Sequence, residues 1–131
     1  MCRYDDALKK KIWDRGRIIK GYDKNQCRQD ACGAWILWDH YGDRESPFGW
    51  EVDHIYPESK LREKGVDNEM IDNIVNLRPL NWKNNDSKGA DYPSYQASMK
   101  SENQTNVEGI YQFTINEEVR NELEQYFREY L

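Results

Sequence analysis

The apolar positions of this chain recur at two periods, one near 3.6 and one near 2, and they divide it into helices and strands. Near the start, Leu8, Ile12 and Trp13 fall at helical spacing within DDALKKKIWDRG, with Asp5 or Asp6 placed to cap the helix and Gly16 to stop it. RIIKGYDKNQ then reads as a short extended piece running into a turn. ACGAWILW is rich in aromatic and β-branched residues, HYGDRESPFG is dense in turn formers, and WEVDHI follows, which predicts two strands joined by a loop. At the far end IYQFTI predicts a strand and NEEVRNELEQYFREYL a helix. Asn116 caps that helix, acids fill its first turn, and Val119, Leu123, Tyr126, Phe127 and Tyr130 form one stripe, read as core packing.

The middle of the chain has a different texture. Between Pro57 and Ile74 it is polar and charged with no strand period, and its length for a connection in a compact domain marks it as a functional loop. VNLRPL predicts a short strand. Pro79 to Lys88 predicts a helix with proline near its first turn and Gly89 as its stop, and SMKSENQTNVEG reads as a polar linker. Without repeats or low-complexity tracts, the 131 residues predict one α+β domain with a single modest core.

Composition narrows the class. Charged residues are 33% of the chain and no apolar run approaches the ~20 residues of a membrane span. The N-terminal MCRYDDALKKK lacks the apolar stretch of a secretory signal, so a cytoplasmic protein is expected. Cys2, Cys27 and Cys32 are an odd number without CxxC pairing, which reads as reduced thiols rather than a disulfide framework. His40 beside those cysteines matches no common zinc spacing. A net charge of −5 argues against a protein that holds nucleic acid mainly by bulk electrostatics. The charge is uneven, however: residues 1–35 carry nine Lys and Arg against five Asp and Glu, and residues 96–131 carry three against seven. The basic end is either a local phosphate-facing surface or a solvated face with i,i+4 pairs.

Two segments carry candidate chemistry. EVDHIYPES ends a strand with an acid and a histidine side by side, and adjacent residues on a strand point to opposite faces. PLNWKNNDSKG is a poor helix former, since Asn, Asp and Ser each cost roughly half a kcal/mol relative to alanine. Its Asn81, Asn85 and Lys88 fall at i, i+4 and i+7 on one helix face. With that face against the strand end, Asp53 and the Asn85 amide offer two hard oxygen ligands for Mg²⁺ or Mn²⁺. His54, directed to the other side, is free to take a proton from a water attacking a phosphate, and Lys88 is placed to steady the phosphate charge. An imidazole titrates close enough to neutrality for that task.

These residues resemble the HNH nucleases of the ββα-metal superfamily, whose pattern is DHI.P, a variable loop, an NL..L strand and a helix ending in N..K. The chain reads Asp53-His54-Ile55 with Pro57, Asn76-Leu77 with Leu80, and Asn85 with Lys88. The spacing is also similar to the HNH domain of the RNA-guided CRISPR effector nuclease, including a proline eight residues after the asparagine, here Pro93. The resemblance covers residues 50–93. Arg28, Asp30, Gly33, Ile36, Tyr41 and Gly42 ahead of GWEVDH extend it toward small stand-alone bacterial and phage members. It implies a ββα-metal hairpin plus helix with flanking N-terminal and C-terminal helices. It also implies a DNA endonuclease with Asp53 and Asn85 as ligands of one divalent ion, His54 as general base, Asn76 orienting His54 across the hairpin and Lys88 on the phosphate. The products would be a 5′-phosphate and a 3′-hydroxyl.

Where many members carry the second CxxC pair of a bracing zinc, this chain has Asn81 and Asn84, so no structural zinc is expected and Trp50, Trp82 and nearby aromatics must brace the site by packing. Arg28, Arg78 and Lys83 are candidate phosphate contacts, and the tryptophans either stack on bases or fill the core. DNA is the expected substrate, with a recruiting or immunity partner or a second copy as a further binding partner. The rival readings are a non-cleaving module that binds nucleic acid or protein on the same scaffold, and a nuclease toxin controlled by an immunity protein.

Overall fold

The computed structural model describes residues 3–131, so Cys2 lies outside the described residues. Helix α1 (Asp6–Trp13) begins where expected: the Asp5 side chain accepts from the Leu8 backbone N–H, and Ile12 and Trp13 turn inward. Three short strands follow, β1 (Arg17–Ile18), β2 (Cys27–Gln29) and β3 (Trp35–Leu37), paired antiparallel in that order. The strand β4 (Trp50–His54) does not join them. It pairs with β5 (Leu77–Asn81) in a separate antiparallel ladder that runs from Trp50 opposite Asn81 to His54 opposite Leu77. The strands predicted at ACGAWILW and WEVDHI are thus in different sheets. They meet near the turn, where the Leu37 N–H donates to Phe48 O and Tyr41 forms a single bridge with Trp50.

The stretch between β4 and β5 contains two short helices, α2 (Glu58–Glu63) and α3 (Asn68–Ile71), which bury Leu61 and Ile71. Helix α4 follows β5 directly and is Trp82–Lys88, shorter than expected. Pro79 belongs to β5, opposite Val52, where a two-stranded ladder tolerates a residue without an N–H. Asn81 is the helix cap, its side chain accepting from Lys83 N. Gly89 ends the helix at φ 52°, a left-handed conformation that suits glycine.

The expected polar linker is instead part of a long hairpin. Strand β6 (Ser94–Glu102) pairs with β7 (Thr105–Thr114), and the turn between them places Asn103 and Gln104 at positive φ. Helix α5 (Glu117–Tyr126) closes the chain with Asn116 as its cap, and Leu123 and Phe127 are fully buried.

Two clusters form the core. One gathers Ile55, Leu61, Ile71, Leu80, Tyr95, Leu123 and Phe127, with Val119, Tyr126 and Tyr130 packed against it, so the α5 stripe is core as expected. The other holds Tyr4, Ile12, Trp13, Ile36, Trp50 and Leu77. Within it Trp13 and Trp50 sit 5.2 Å apart between ring centroids, and Trp38 lies 5.6 Å from Trp13. Cys27 and Cys32 are buried free thiols. Among the described residues no helix is long and apolar enough to cross a membrane.

Candidate functional site

A cleft of about 540 Å³ opens beside the end of β4 and is lined by Glu51, Asp53, His54, Glu58 and Asn85, with Arg3 and Tyr4 at its edge. It takes residues from both faces of the strand: the ladder keeps its register through His54, yet Asp53 and His54 both reach the cleft. Their surroundings differ. Asp53 is 3% exposed, and its carboxylate receives Arg78 Nε at 2.8 Å and faces Lys88 Nζ at 3.2 Å. Burial by itself would raise the Asp53 carboxyl, but the two cations outweigh it and hold the group below the usual carboxylate range. The same burial draws the Lys88 ammonium down, against the pull of Asp53.

His54 is fixed by an acid from the loop. Its Nε2 lies 2.8 Å from Asp72 Oδ1, and its Nδ1 stands 3.9 Å from Glu58 Oε1. Arg3 clasps both acids, donating from Nε and Nη2 to Asp72 and from Nη1 and Nη2 to Glu58. Because a carboxylate only accepts, the proton of a neutral imidazole sits on Nε2 and leaves Nδ1 as the basic atom. Asn76 is fully buried, and among the described residues its side chain makes no hydrogen bond to the ring. Its Oδ1 accepts from Tyr56 N at 2.7 Å and its Nδ2 donates to the Tyr56 and Ile71 carbonyls, while its backbone oxygen accepts from Ile55 N. Asn76 therefore pins the chain just past His54, and Asp72 holds the ring.

Asn85 projects from α4 into the cleft. Its Nδ2 donates to Glu51 Oε1 at 3.1 Å, and its amide oxygen takes no hydrogen bond among the described residues. Glu51 is also forked by Arg44, whose guanidinium reaches Asp86 as well. Lys88 follows Asn85 by three residues on α4 but is buried, as Asn84 is, and its Nζ donates to His54 O at 3.1 Å rather than lining the cleft. Of the predicted phosphate contacts, Arg28 is buried with its guanidinium on the carbonyls of Asp14, Gly16 and Lys24. Arg78 is committed to Asp53, and Lys83 pairs with Glu108. None of these three lines the cleft.

The donor set suits a hard divalent cation with few protein ligands. Asp53 uses two of its four lone-pair sites on Arg78 and Lys88, and the Asn85 oxygen is uncommitted. Among the described residues, no three His, Cys, Asp or Glu side chains converge as a metal cluster.

Behind α4, against Asn81 and Asn84, a carboxylate stands. Asp30 is fully buried and accepts four N–H groups, from Cys32 N and Ala34 N on Oδ1, and from Asn81 N and Asn84 Nδ2 on Oδ2, at 2.9 to 3.1 Å. Asn84 continues the brace, accepting from Ser98 N and Met99 N and donating to Met99 O. Trp82 adds an indole bond to Ser46 O, and Trp50 packs in the tryptophan cluster. Gly49 allows both the Asp43 backbone and the Trp82 ring to come close, because a Cβ there would lie 1.8 Å from Asp43 O and 2.9 Å from Trp82 Cδ1. Sequence reasoning missed Glu51, Glu58, Asp72 and Arg3. The only local hint was that Glu51 precedes Asp53 by two residues, which puts both on one strand face. No family model, curated protein or solved structure matches the chain.

Proposed function

We propose that the protein is a metal-dependent endonuclease of the ββα-metal type that hydrolyses DNA phosphodiester bonds. The observation that carries this reading is His54 at the end of β4, held through Nε2 by Asp72, lining one cleft with Asp53 from the same strand and Asn85 from α4. The hairpin of β4 and β5 leading straight into α4 supports it. Nδ1 of His54 takes the proton of an attacking water, and the Asp72 carboxylate stabilises the imidazolium that forms. Asp53 and Asn85 would hold a Mg²⁺ or Mn²⁺ ion, which supplies Lewis-acid stabilisation of the departing oxygen. Arg78 and Lys88 keep Asp53 ionised, and Lys88 also ties the helix to the His54 carbonyl. His54→Ala is expected to abolish nicking of supercoiled plasmid while Mn²⁺ binding persists. Cleavage at the wild-type rate by His54→Ala in Mg²⁺ would sink the mechanism.

One observation favours the second reading, a non-cleaving module. Arg28, Arg78 and Lys88 are spent on internal partners, and with a net charge of −5 little free cation faces a nucleic acid near the cleft. A partner protein or second subunit would then carry the affinity. Plasmid nicking by the wild-type protein, present or absent, separates the two.

A further inference from the structure

Asp53 lines the cleft, but its partner Arg78 lines a different cavity, of about 360 Å³. Three arginines line this second space, Arg15, Arg17 and Arg78, and no acidic residue does. Tyr95 and Phe113 form an aromatic wall, their rings stacked at 21° with centroids 6.0 Å apart. Each arginine is anchored through part of its fork. Arg15 Nη1 donates to the Ile74, Val75 and Leu77 carbonyls, Arg17 Nη2 to Ala31 O, and Arg78 Nε to Asp53. Arg78 Nη2 is buried and has no hydrogen-bond partner among the described residues. Burial draws the Arg15 guanidinium below its ordinary value, with Glu122 opposing and Arg78 adding to the effect.

We propose that this cavity binds the phosphate group of a small molecule, inorganic phosphate or a mononucleotide, with Arg15, Arg17 and Arg78 as its cage. The planar guanidinium fork matches phosphate oxygens bidentately, and three of them suit a dianion better than a monoanion. The volume is at the small end of ligand pockets, which favours a small molecule over a polymer. None of the three arginines lines the cleft that holds His54, and Arg78 joins the two spaces through its Nε bond to Asp53.

Isothermal titration of the metal-depleted protein with inorganic phosphate and with adenosine 5′-monophosphate tests this, with acetate as the monoanion comparator. Saturable binding of phosphate or the nucleotide is expected, tighter than acetate. Arg17→Gln should weaken it about tenfold, roughly one charge-assisted contact. Thr114→Glu, which sets a carboxylate on the exposed rim, should abolish it. Arg17 and Thr114 are both exposed, so unchanged urea midpoints will show that the variants fold. Tighter binding of the nucleotide would assign the nucleoside to the Tyr95 and Phe113 wall, and equal affinities would make phosphate alone the ligand. Absence of saturable binding by the wild type overturns the proposal. So does binding that survives both substitutions or that disappears in His54→Ala.

Discussion

Nε2 of His54 lies 2.8 Å from Oδ1 of Asp72 across eighteen residues of chain, and the Arg3 guanidinium grips the same Asp72 through both carboxylate oxygens. The ring is thus oriented by a loop acid that is itself held by the N-terminal segment. Three parts of the chain meet at one imidazole, which ties the geometry of the proposed base to the docking of residues before α1.

Asp72→Asn keeps a polar group beside the ring but removes the charge that favours the imidazolium. On the nuclease reading, kcat for plasmid nicking falls by roughly 10-fold to 100-fold while KM stays near the wild-type value. Single-turnover nicking in Mg²⁺ measures this, and an unchanged kcat would remove Asp72 from the reaction.

Asp53→Ala is a poor probe of metal binding, because it leaves Arg78 and Lys88 buried without their counter-charge, at a cost of about 3–5 kcal/mol. Asn85→Ala removes the uncommitted amide oxygen from a half-buried helix position instead. It is expected to lower Mn²⁺ affinity about tenfold, with the urea midpoint close to that of the wild type. Electron paramagnetic resonance titration of free Mn²⁺ reads the affinity, and equal affinities would take Asn85 out of the ligand set.

Hydrogen bonding by Arg3 lowers the Glu58 carboxyl from its ordinary 4.5 to about 2, burial opposing and Arg62 adding to the effect. A depressed carboxyl stabilises the fold above its unfolded pKa, and the contribution is lost as pH falls through the folded value. Between about pH 4.5 and pH 2 the wild type should therefore lose stability more steeply than Glu58→Gln. Urea unfolding at several pH values across that window tests it, with parallel curves as the contrary result.

Asp30→Ala would strip the acceptor from four buried N–H groups at once. Leaving such donors unpaired costs on the order of 3 kcal/mol or more, and the loss should fall on the anchoring of α4 against the β2–β3 turn. A urea midpoint within error of the wild type would show that the carboxylate is not the brace.

The elements that follow from short-range pattern were legible. Asp5 and Asn116 cap their helices because a short oxygen-bearing side chain before an apolar period satisfies free N–H groups locally. The β6–β7 hairpin was missed although Tyr95, Ala97 and Met99 alternate inward along β6. Its turn uses Asn103-Gln104 at positive φ, where the familiar signal is a glycine, and its polar residues lie on exposed positions that resemble a linker.

By itself the amino-acid sequence determined the strand that ends at Asp53 and His54, the strand and asparagine-rich helix that follow, and the side chains placed on them. Only the tertiary structure decided their partners. Arg78 and Lys88 close on Asp53, Asp72 bonds the His54 ring while Asn76 pins the chain after it, Glu51 meets Asn85, and Asp30 stands behind α4. The physical reason is range. Capping and periodicity act over a few residues and leave a mark in order, whereas a buried charge takes whichever opposite charge or N–H the packing brings within about 3 Å, from any distance along the chain.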